Sequence, residues 1–234
     1  MNFTAVITGA SKGIGFSVAK RLAEANFSLF IVGRDLERLK NAKSQLLSFG
    51  SPEVHIFSGD LSQSDVAKNC VDAVVAQWKS LTVLVNNAGV FLPGTMMEEN
   101  EGQFETLMST NMNSVYYMTR GLWPLLKLSN RAHVFNLCSI ASITAYAAGG
   151  SYSVSKFALL GFSKSLRLEG MPLGIRVTAI LPGATLTDSW AGVDLPSSRF
   201  MKPEDVANTI YSAFLINENT VMEEVVLRPL MGDI

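Results

Sequence analysis

The chain has 234 residues, with 19 Lys and Arg against 20 Asp and Glu and a formal charge of -1, and its pI is near 6.1. That balance leaves no electrostatic footprint for nucleic acid or a membrane surface, and the length suits one large domain with a sizeable core. Cys70 and Cys138 lie in apolar segments with no CxxC or Cys/His spacing, which argues against a disulfide framework or a metal site and for a reducing, cytoplasmic home.

The opening "MNFTAVITG" lacks a charged leader followed by a long apolar stretch, and no run of 18 apolar residues occurs. Neither export nor a membrane span is expected. "FTAVITG" reads as a first strand buried on both faces. "TGASKGIG", Thr8 to Gly15, follows it directly and opens a helix expected over Ser17–Asn26. Glycines in a strand-loop-helix turn let the backbone turn tightly and approach a pyrophosphate, whose charge the helix N-terminus stabilises. The spacing is Gly-x-x-x-Gly-x-Gly, and an ordinary glycine-rich turn is the competing reading.

"FSLFIVG" is the second strand, followed by Arg34 and Asp35 and a helix over Leu36–Phe49. Asp35 stands about 20 residues beyond the glycine loop, where an acid can read a ribose hydroxyl, but it is read here as the N-cap of that helix. "EVHIFSG" is the third strand. Asp60 after it precedes a helix over Ser64–Trp78, for which it is a candidate N-cap. "LTVLVNN" is the fourth strand, and a long helix is expected over Gln103–Leu128.

"AHVFNLCS" is the fifth strand and ends at Ser139, at the edge where open α/β sheets place their ligand crevice. A helix over Tyr152–Glu169 follows, then a sixth strand, "IRVTAILPG". The stretch 184–202 lacks helical periodicity and is expected to be a lid, with Leu186, Trp190 and Phe200 making it largely apolar. "KPEDVA" opens a further helix near Pro203, and "EEVVLRP" supplies a last strand. The alternation of strand and helix predicts a single-domain α/β fold: a Rossmann-type, doubly wound parallel sheet flanked by helices.

Tyr152 and Lys156 sit four apart on one helix and therefore face the same way, with Cβ atoms about 5–6 Å apart. A lysine cation beside a phenol favours the phenolate, so the spacing predicts a tyrosine with a lowered pKa, fit to move protons near neutrality. Amphipathic packing of the lysine stem on the ring is the bland alternative. Ser139, thirteen residues upstream, is a turn residue by default; with Tyr152 and Lys156 following, it is better read as a hydrogen-bond donor to a substrate carbonyl. Asn111, in "MSTNMNS", could equally satisfy a neighbouring backbone group. Cys138 reads as a small buried apolar residue. No histidine near these motifs completes a Ser-His pair.

Taken in order, "TGASKGIG", "NNAG" at Asn86–Gly89, Asn111, the set Ser139, Tyr152 and Lys156, and "PGATLT" at Pro182–Thr187 resemble the short-chain dehydrogenase/reductase family over nearly the whole chain. The resemblance implies NADPH-dependent reduction of a ketone to a secondary alcohol, with Tyr152 as the acid. It gives Lys156 a bond to the nicotinamide ribose and Asn111 a water-linked proton path. It also implies a cofactor site of Gly9, Ser11, Lys12, Gly13, Ile14, Gly15, Arg34, Asp60, Leu61, Asn87, Ala88, Gly89, Tyr152, Lys156, Pro182, Gly183, Thr185 and Thr187. Arg34 and Lys12 suit the 2'-phosphate that distinguishes NADP from NAD, so NADPH is expected over NADH.

The chain end resembles bacterial sepiapterin-reductase-like members, which puts forward a sepiapterin-like or small dicarbonyl substrate and makes Asp233 a candidate pterin ligand. Phe91–Pro93 and Tyr146 are candidate pocket residues. A 3-oxoacyl-carrier-protein reductase is the alternative enzyme, and a dinucleotide-binding redox sensor without turnover the alternative class. A homodimer or homotetramer is expected through the helices at Gln103–Leu128 and Tyr152–Glu169, with Tyr117, Trp123 and Phe162 in that interface or in the monomer core.

Overall fold

A computed structural model describes residues 3–190 and 192–234. Positions 1 and 2 of the expected domain and Ala191 of the expected lid lie outside the described residues. The strands are β1 (Thr4–Thr8), β2 (Ser28–Gly33), β3 (Val54–Ser58), β4 (Val83–Asn86), β5 (His133–Leu137), β6 (Arg176–Pro182) and β7 (Glu224–Leu227). They form one sheet in the order β3-β2-β1-β4-β5-β6-β7, and every neighbouring pair is parallel. The helices are α1 (Gly13–Glu24), α2 (Leu36–Ser48), α3 (Ser64–Gln77), α4 (Gln103–Met108), α5 (Ser114–Lys127), α6 (Gly150–Gly170) and α7 (Pro203–Leu215).

Successive strand residues feed opposite faces, which is why these strands are continuous apolar runs. Ala5 and Ile7 of β1 pack with Val18 and Leu22 of α1 and Ile210 and Phe214 of α7. Val6, between them, packs on the other face with Val74 of α3 and Met118 and Leu122 of α5. Each large side chain buried in this way contributes about 1.5–3 kcal/mol. Tyr117, Trp123 and Phe162 are partly buried against this second layer.

The expected long helix is interrupted. Between α4 and α5 the backbone takes a wide π-type turn over Ser109–Asn113. The side chain of Asn111 within it accepts the Val90 N–H at 2.8 Å and donates to the Val90 carbonyl at 3.0 Å. A contact between residues 21 apart in sequence therefore goes with a locally widened helix, as π-bulges at functional sites do.

Asp60 is also placed differently from the expectation. Its carboxylate accepts the Ser62 N–H at 3.0 Å in a local turn, and α3 begins later, with Gln63 at its N-cap and no side-chain cap. Asp35 does cap α2, through the Arg38 N–H. The segment 184–202 is built from short 3-10 turns at Asp188–Trp190 and Ser197–Arg199. Its two ends are pinned together by the Leu186 N–H to the Met201 carbonyl and the Met201 N–H to the Ala184 carbonyl, both at 2.9 Å. The sheet order reverses between β1 and β4, so the loops leaving their C-terminal ends diverge to opposite faces and open a crevice.

Candidate active site

A cleft of about 840 Å³ runs along that edge. One end is the glycine loop. Thr8, at the tip of β1, accepts the N–H groups of Asn87 at 3.0 Å and Ala88 at 2.9 Å on its hydroxyl. Asn87 returns two bonds from Nδ2, to the Thr8 carbonyl at 2.9 Å and the Gly9 carbonyl at 3.1 Å. Gly15 lies against this clasp: a Cβ there would collide with the Gly9 carbonyl oxygen and Asn87 Nδ2. That glycine is required by packing within the protein, and Gly15 stands behind the cleft wall. Gly13, whose φ is +57°, does line the cleft, with Gly9, Ser11, Lys12 and Ile14. No side chain caps the N-terminus of α1, which leaves the first-turn N–H groups to an anion.

Arg34 follows β2 on the rim of the cleft and is exposed. Asp35 is turned away, pairing with Arg38 Nε at 3.2 Å as well as capping α2. Lys12 reaches across the cleft to Asp188 at 2.5 Å, and that ammonium holds the Asp188 carboxyl below its ordinary range. Asp60, Leu61, Asn87, Ala88, Gly89, Pro182, Gly183, Thr185 and Thr187 all line the same space.

At the other end the cleft is walled by Ser139, Tyr152 and Lys156. α6 brings the last two to one face, with Lys156 Nζ 5.8 Å from the centre of the Tyr152 ring. Ser139 leaves β5 in extended conformation, and its hydroxyl accepts the Ala141 N–H at 3.1 Å. Lys156 is buried and donates to the Leu137 carbonyl at 2.8 Å. Asn111 is buried behind the wall, and its side chain is committed to Val90 and to the Ser155 hydroxyl at 3.0 Å. Ser155 in turn donates to the Tyr152 carbonyl at 2.7 Å. The side chain of Asn111 therefore braces the loop after β4 against α6, through a backbone group 21 residues away rather than a neighbouring one.

The expected sign of the tyrosine shift is overturned. Burial raises Tyr152 above its ordinary value, with the Ser139 hydroxyl pulling partly the other way. The same burial lowers Lys156 to about 8. Desolvation disfavours whichever form is charged, so it pushes a phenol up and an ammonium down, and it is the largest influence on both groups here. A phenol that keeps its proton at neutral pH is a donor, which suits protonation of a carbonyl oxygen. Cys138, beside Ser139, is buried with its thiol pushed up to about 11, so it is no nucleophile at neutral pH.

The remaining walls include Val90–Pro93, Tyr146, Trp190, Asp233 and Ile234. Phe91 meets Tyr152 edge to face, with ring centres 4.8 Å apart. Trp190 packs on Phe200 at 5.2 Å, which is itself buried, whereas Leu186 points to solvent. Asp233 forms an ion pair with Arg228. Sequence reading passed over Thr8, Ser155 and Asp188; Thr8 opens the quoted glycine motif, but the partners that define all three appear only in three dimensions.

Lys156 gives a pH signature. Its proton leaves near 8 in the folded chain and near the ordinary 10.5 in the unfolded one. Across that window the unfolded state holds more protons, so stability rises with pH, by up to about 3 kcal/mol. Cys70, Cys138 and Tyr152, all raised by burial, act in the opposite sense at the alkaline end. The difference in urea-derived stability between wild type and Lys156→Met should therefore climb between about pH 8 and pH 10.5; a flat difference would show that Lys156 is not desolvated.

Known proteins agree with this arrangement. A family profile described as short chain dehydrogenase matches residues 3–196. A sepiapterin reductase of Chlorobaculum tepidum is 31% identical over 242 residues, covering 100% of this chain and 99% of its own. A 3-oxoacyl-[acyl-carrier-protein] reductase of Chlamydia trachomatis is 30% identical over 218 residues, 88% of each chain. Among solved structures, an alcohol dehydrogenase of Thermococcus sibiricus complexed with 5-hydroxy-NADP superposes with a TM-score of 0.92 at 25% identity, covering 98% of this chain and 97% of that one. L-sorbose reductase of Gluconobacter frateurii, complexed with NADPH and L-sorbose, gives 0.89 at 27% identity, with 97% and 95% covered. With a clasped glycine loop at one end of the cleft, Ser139, Tyr152 and Lys156 at the other, and these matches along its length, the chain belongs to the short-chain dehydrogenase family of oxidoreductases acting between C=O and CH-OH.

Proposed function

We propose that the protein is an NADPH-dependent reductase of small ketones. The observation that carries this reading is the convergence of Ser139, Tyr152 and Lys156 on one wall of a cleft that also presents the α1 N-terminus and the Arg34 guanidinium, which is in no ion pair among the described residues. The residues fit a dinucleotide: Gly13 and Ile14 would hold its phosphates, Arg34 and Lys12 carry the charges a 2'-phosphate needs, and Asn87–Gly89 and Thr187 line the cleft between them and Tyr152. Bound there, the nicotinamide would supply a hydride to the carbonyl carbon.

Ser139 holds the carbonyl oxygen by a hydrogen bond that strengthens as charge develops. Tyr152 gives that oxygen its phenolic proton, and Lys156 Nζ stabilises the phenolate left behind. Proximity of the three, with Ser139 and Lys156 buried and Tyr152 partly buried, supplies the orientation, and a low local dielectric strengthens each contact as the oxygen becomes anionic.

For substrate we put forward a sepiapterin-like compound or a small dicarbonyl. Phe91, Tyr146 and Trp190 give flat apolar walls, and Asp233 adds a carboxylate to the lining. Its pairing with Arg228 means that a pterin's N–H donors would share that carboxylate with a guanidinium. The C. trachomatis relative makes 3-oxoacyl thioesters the competing substrate class. We place the protein in the cytoplasm, in keeping with its two buried free cysteines, and assign assembly to the α4–α5 and α6 faces, where Phe104, Tyr116 and Phe157 are exposed.

The direct test is NADPH consumption against sepiapterin, diketones and 3-oxoacyl thioesters. NADPH binding with no turnover of any carbonyl would favour a redox sensor over an enzyme. Tyr152→Phe should keep NADPH affinity and lose turnover by roughly a hundred- to ten-thousandfold, the usual worth of a general acid; near-normal kcat would remove Tyr152 from that role.

Arg34→Ala should weaken NADPH by roughly ten- to a hundredfold, since a charged hydrogen bond is worth about 1.5–3 kcal/mol. NADH should be little affected, with both compared at fixed ionic strength. A wild type that prefers NADH, or a variant that keeps its preference for NADPH, rejects the assignment. Asp233→Asn should raise KM for a pterin and leave a small diketone unaffected, and equal effects on both would remove Asp233 from the substrate site.

A further inference from the structure

Tyr152 sits in the first turn of α6, where the N–H groups have no partners within the helix. The N-cap position is Gly149, which has no side chain to supply one. The acceptor comes from 52 residues upstream. Glu99 Oε1 takes the Ser151 N–H at 2.8 Å, and Oε2 takes the Ser151 hydroxyl in a short hydrogen bond. Ser151 is buried, so without Glu99 its N–H would face no replacement from bulk water. A carboxylate at this end of a helix also meets the positive end of the macrodipole.

The backbone is shaped around that carboxylate. Ala148 and Gly150 adopt positive φ, 58° and 37°, and a Cβ on Gly150 would collide with Glu99 Oε1. Gly94 N–H donates to the Ala148 carbonyl at 3.0 Å, a second tie between the same two segments. The chain from Val90 to Glu99 is thus fastened to the start of α6, and it carries Phe91, whose ring edge rests on Tyr152. Glu99 itself lies outside the cleft lining.

We propose that Glu99 is the positioning residue for Tyr152: it caps α6 from the loop after β4 and makes the substrate wall Val90–Pro93 and the phenol one rigid unit. The inference deepens the carbonyl-reductase reading and rests on it. A capping residue of this kind acts on the geometry of proton donation, since a displacement near 1 Å in a reacting group can reduce rate by about a hundredfold. It has no reason to act on the distant glycine loop.

The test uses the full chain, with NADPH affinity by fluorescence titration, kcat and KM on the carbonyl that wild type reduces best, and amide exchange over 146–156. Glu99→Ala should lower kcat by roughly ten- to a hundredfold with NADPH affinity unchanged. Glu99→Gln, which keeps an acceptor for the Ser151 N–H, should restore most of kcat. Glu99→Asp keeps the charge but withdraws the oxygens by one methylene, so its kcat should fall below that of the Gln variant.

A kcat that Glu99→Ala leaves intact, or a loss shared equally by NADPH affinity and not rescued by Gln, overturns the proposal. Should Glu99→Ala fail to fold, the Gln and Asp variants decide, and equal kcat in those two overturns it. If wild type reduces no carbonyl, the reductase reading fails on its own, and the clamp is judged by exchange: the Ser151 and Tyr152 amides must exchange faster in the Asp variant than in the Gln variant, and no difference overturns it.

Discussion

The clasp between Thr8 and Asn87 is the constraint on which the site depends. β1 and β4 are neighbours in register, Ile7 beside Val85, and beyond that point their chains must part to opposite faces of the sheet. Splayed loops at a reversal of strand order would expose unpaired backbone groups at the bottom of a dry crevice, each worth about 1–3 kcal/mol if left unsatisfied. One threonine hydroxyl and one asparagine amide close the gap, meeting two N–H groups and two carbonyls. Once they do, Gly9 is held against Ala88, Gly15 admits no side chain, and α1 can leave in only one direction. The glycine-loop end of the cleft is thus a consequence of how two strands are tied.

At the catalytic end the governing quantity is water exclusion. Tyr152 and Lys156 are shifted in opposite directions by the same surroundings. Lys156 has a backbone carbonyl, from Leu137, as its hydrogen-bond partner, and no carboxylate pairs with it among the described residues. A lone ammonium held this way destabilises the fold. It also leaves the charge uncompensated, so that it is available to a phenolate when one forms. The protein thereby carries at Lys156 a destabilised resting state that its proposed reaction would relieve, a pattern that recurs where pKa values are tuned for function.

Much of this was legible in the sequence because the signals were local. Strands such as "FSLFIVG" are apolar at consecutive positions, and only a sheet covered on both faces asks for that; the structure pairs all six early strands as expected. Tyr152 and Lys156 share a face because helical geometry requires it. What the sequence could not convey was set by partners distant in the chain or by burial. Asn111 meets Val90 across a chain reversal, and the expected helix breaks there. Asp60 had the residue type of an N-cap but turned its carboxylate to Ser62 two residues on. The sign of the Tyr152 shift followed from the wrong dominant force: spacing reveals the neighbouring charge, whereas desolvation depends on everything packed around the pair.

The rim charges follow the same logic at weaker strength. Lys12 is paired with Asp188, but both side chains are exposed, by 52% and 70%, and solvent screens such a pair heavily. A phosphate monoester carries about 1.5 to 2 negative charges and several acceptor oxygens, and so outcompetes one exposed carboxylate for the ammonium. Arg34 needs no such exchange, since it is in no ion pair among the described residues, and Asp35, the acid nearest to it in sequence, is held on α2 by Arg38. The two basic groups therefore differ in kind: Arg34 is in no ion pair among the described residues, whereas Lys12 is paired with Asp188 on the segment that bears Thr187. Under the proposed function, cofactor discrimination would fall chiefly on Arg34, and release of Lys12 from Asp188 would couple the glycine-loop end of the cleft to the segment after β6.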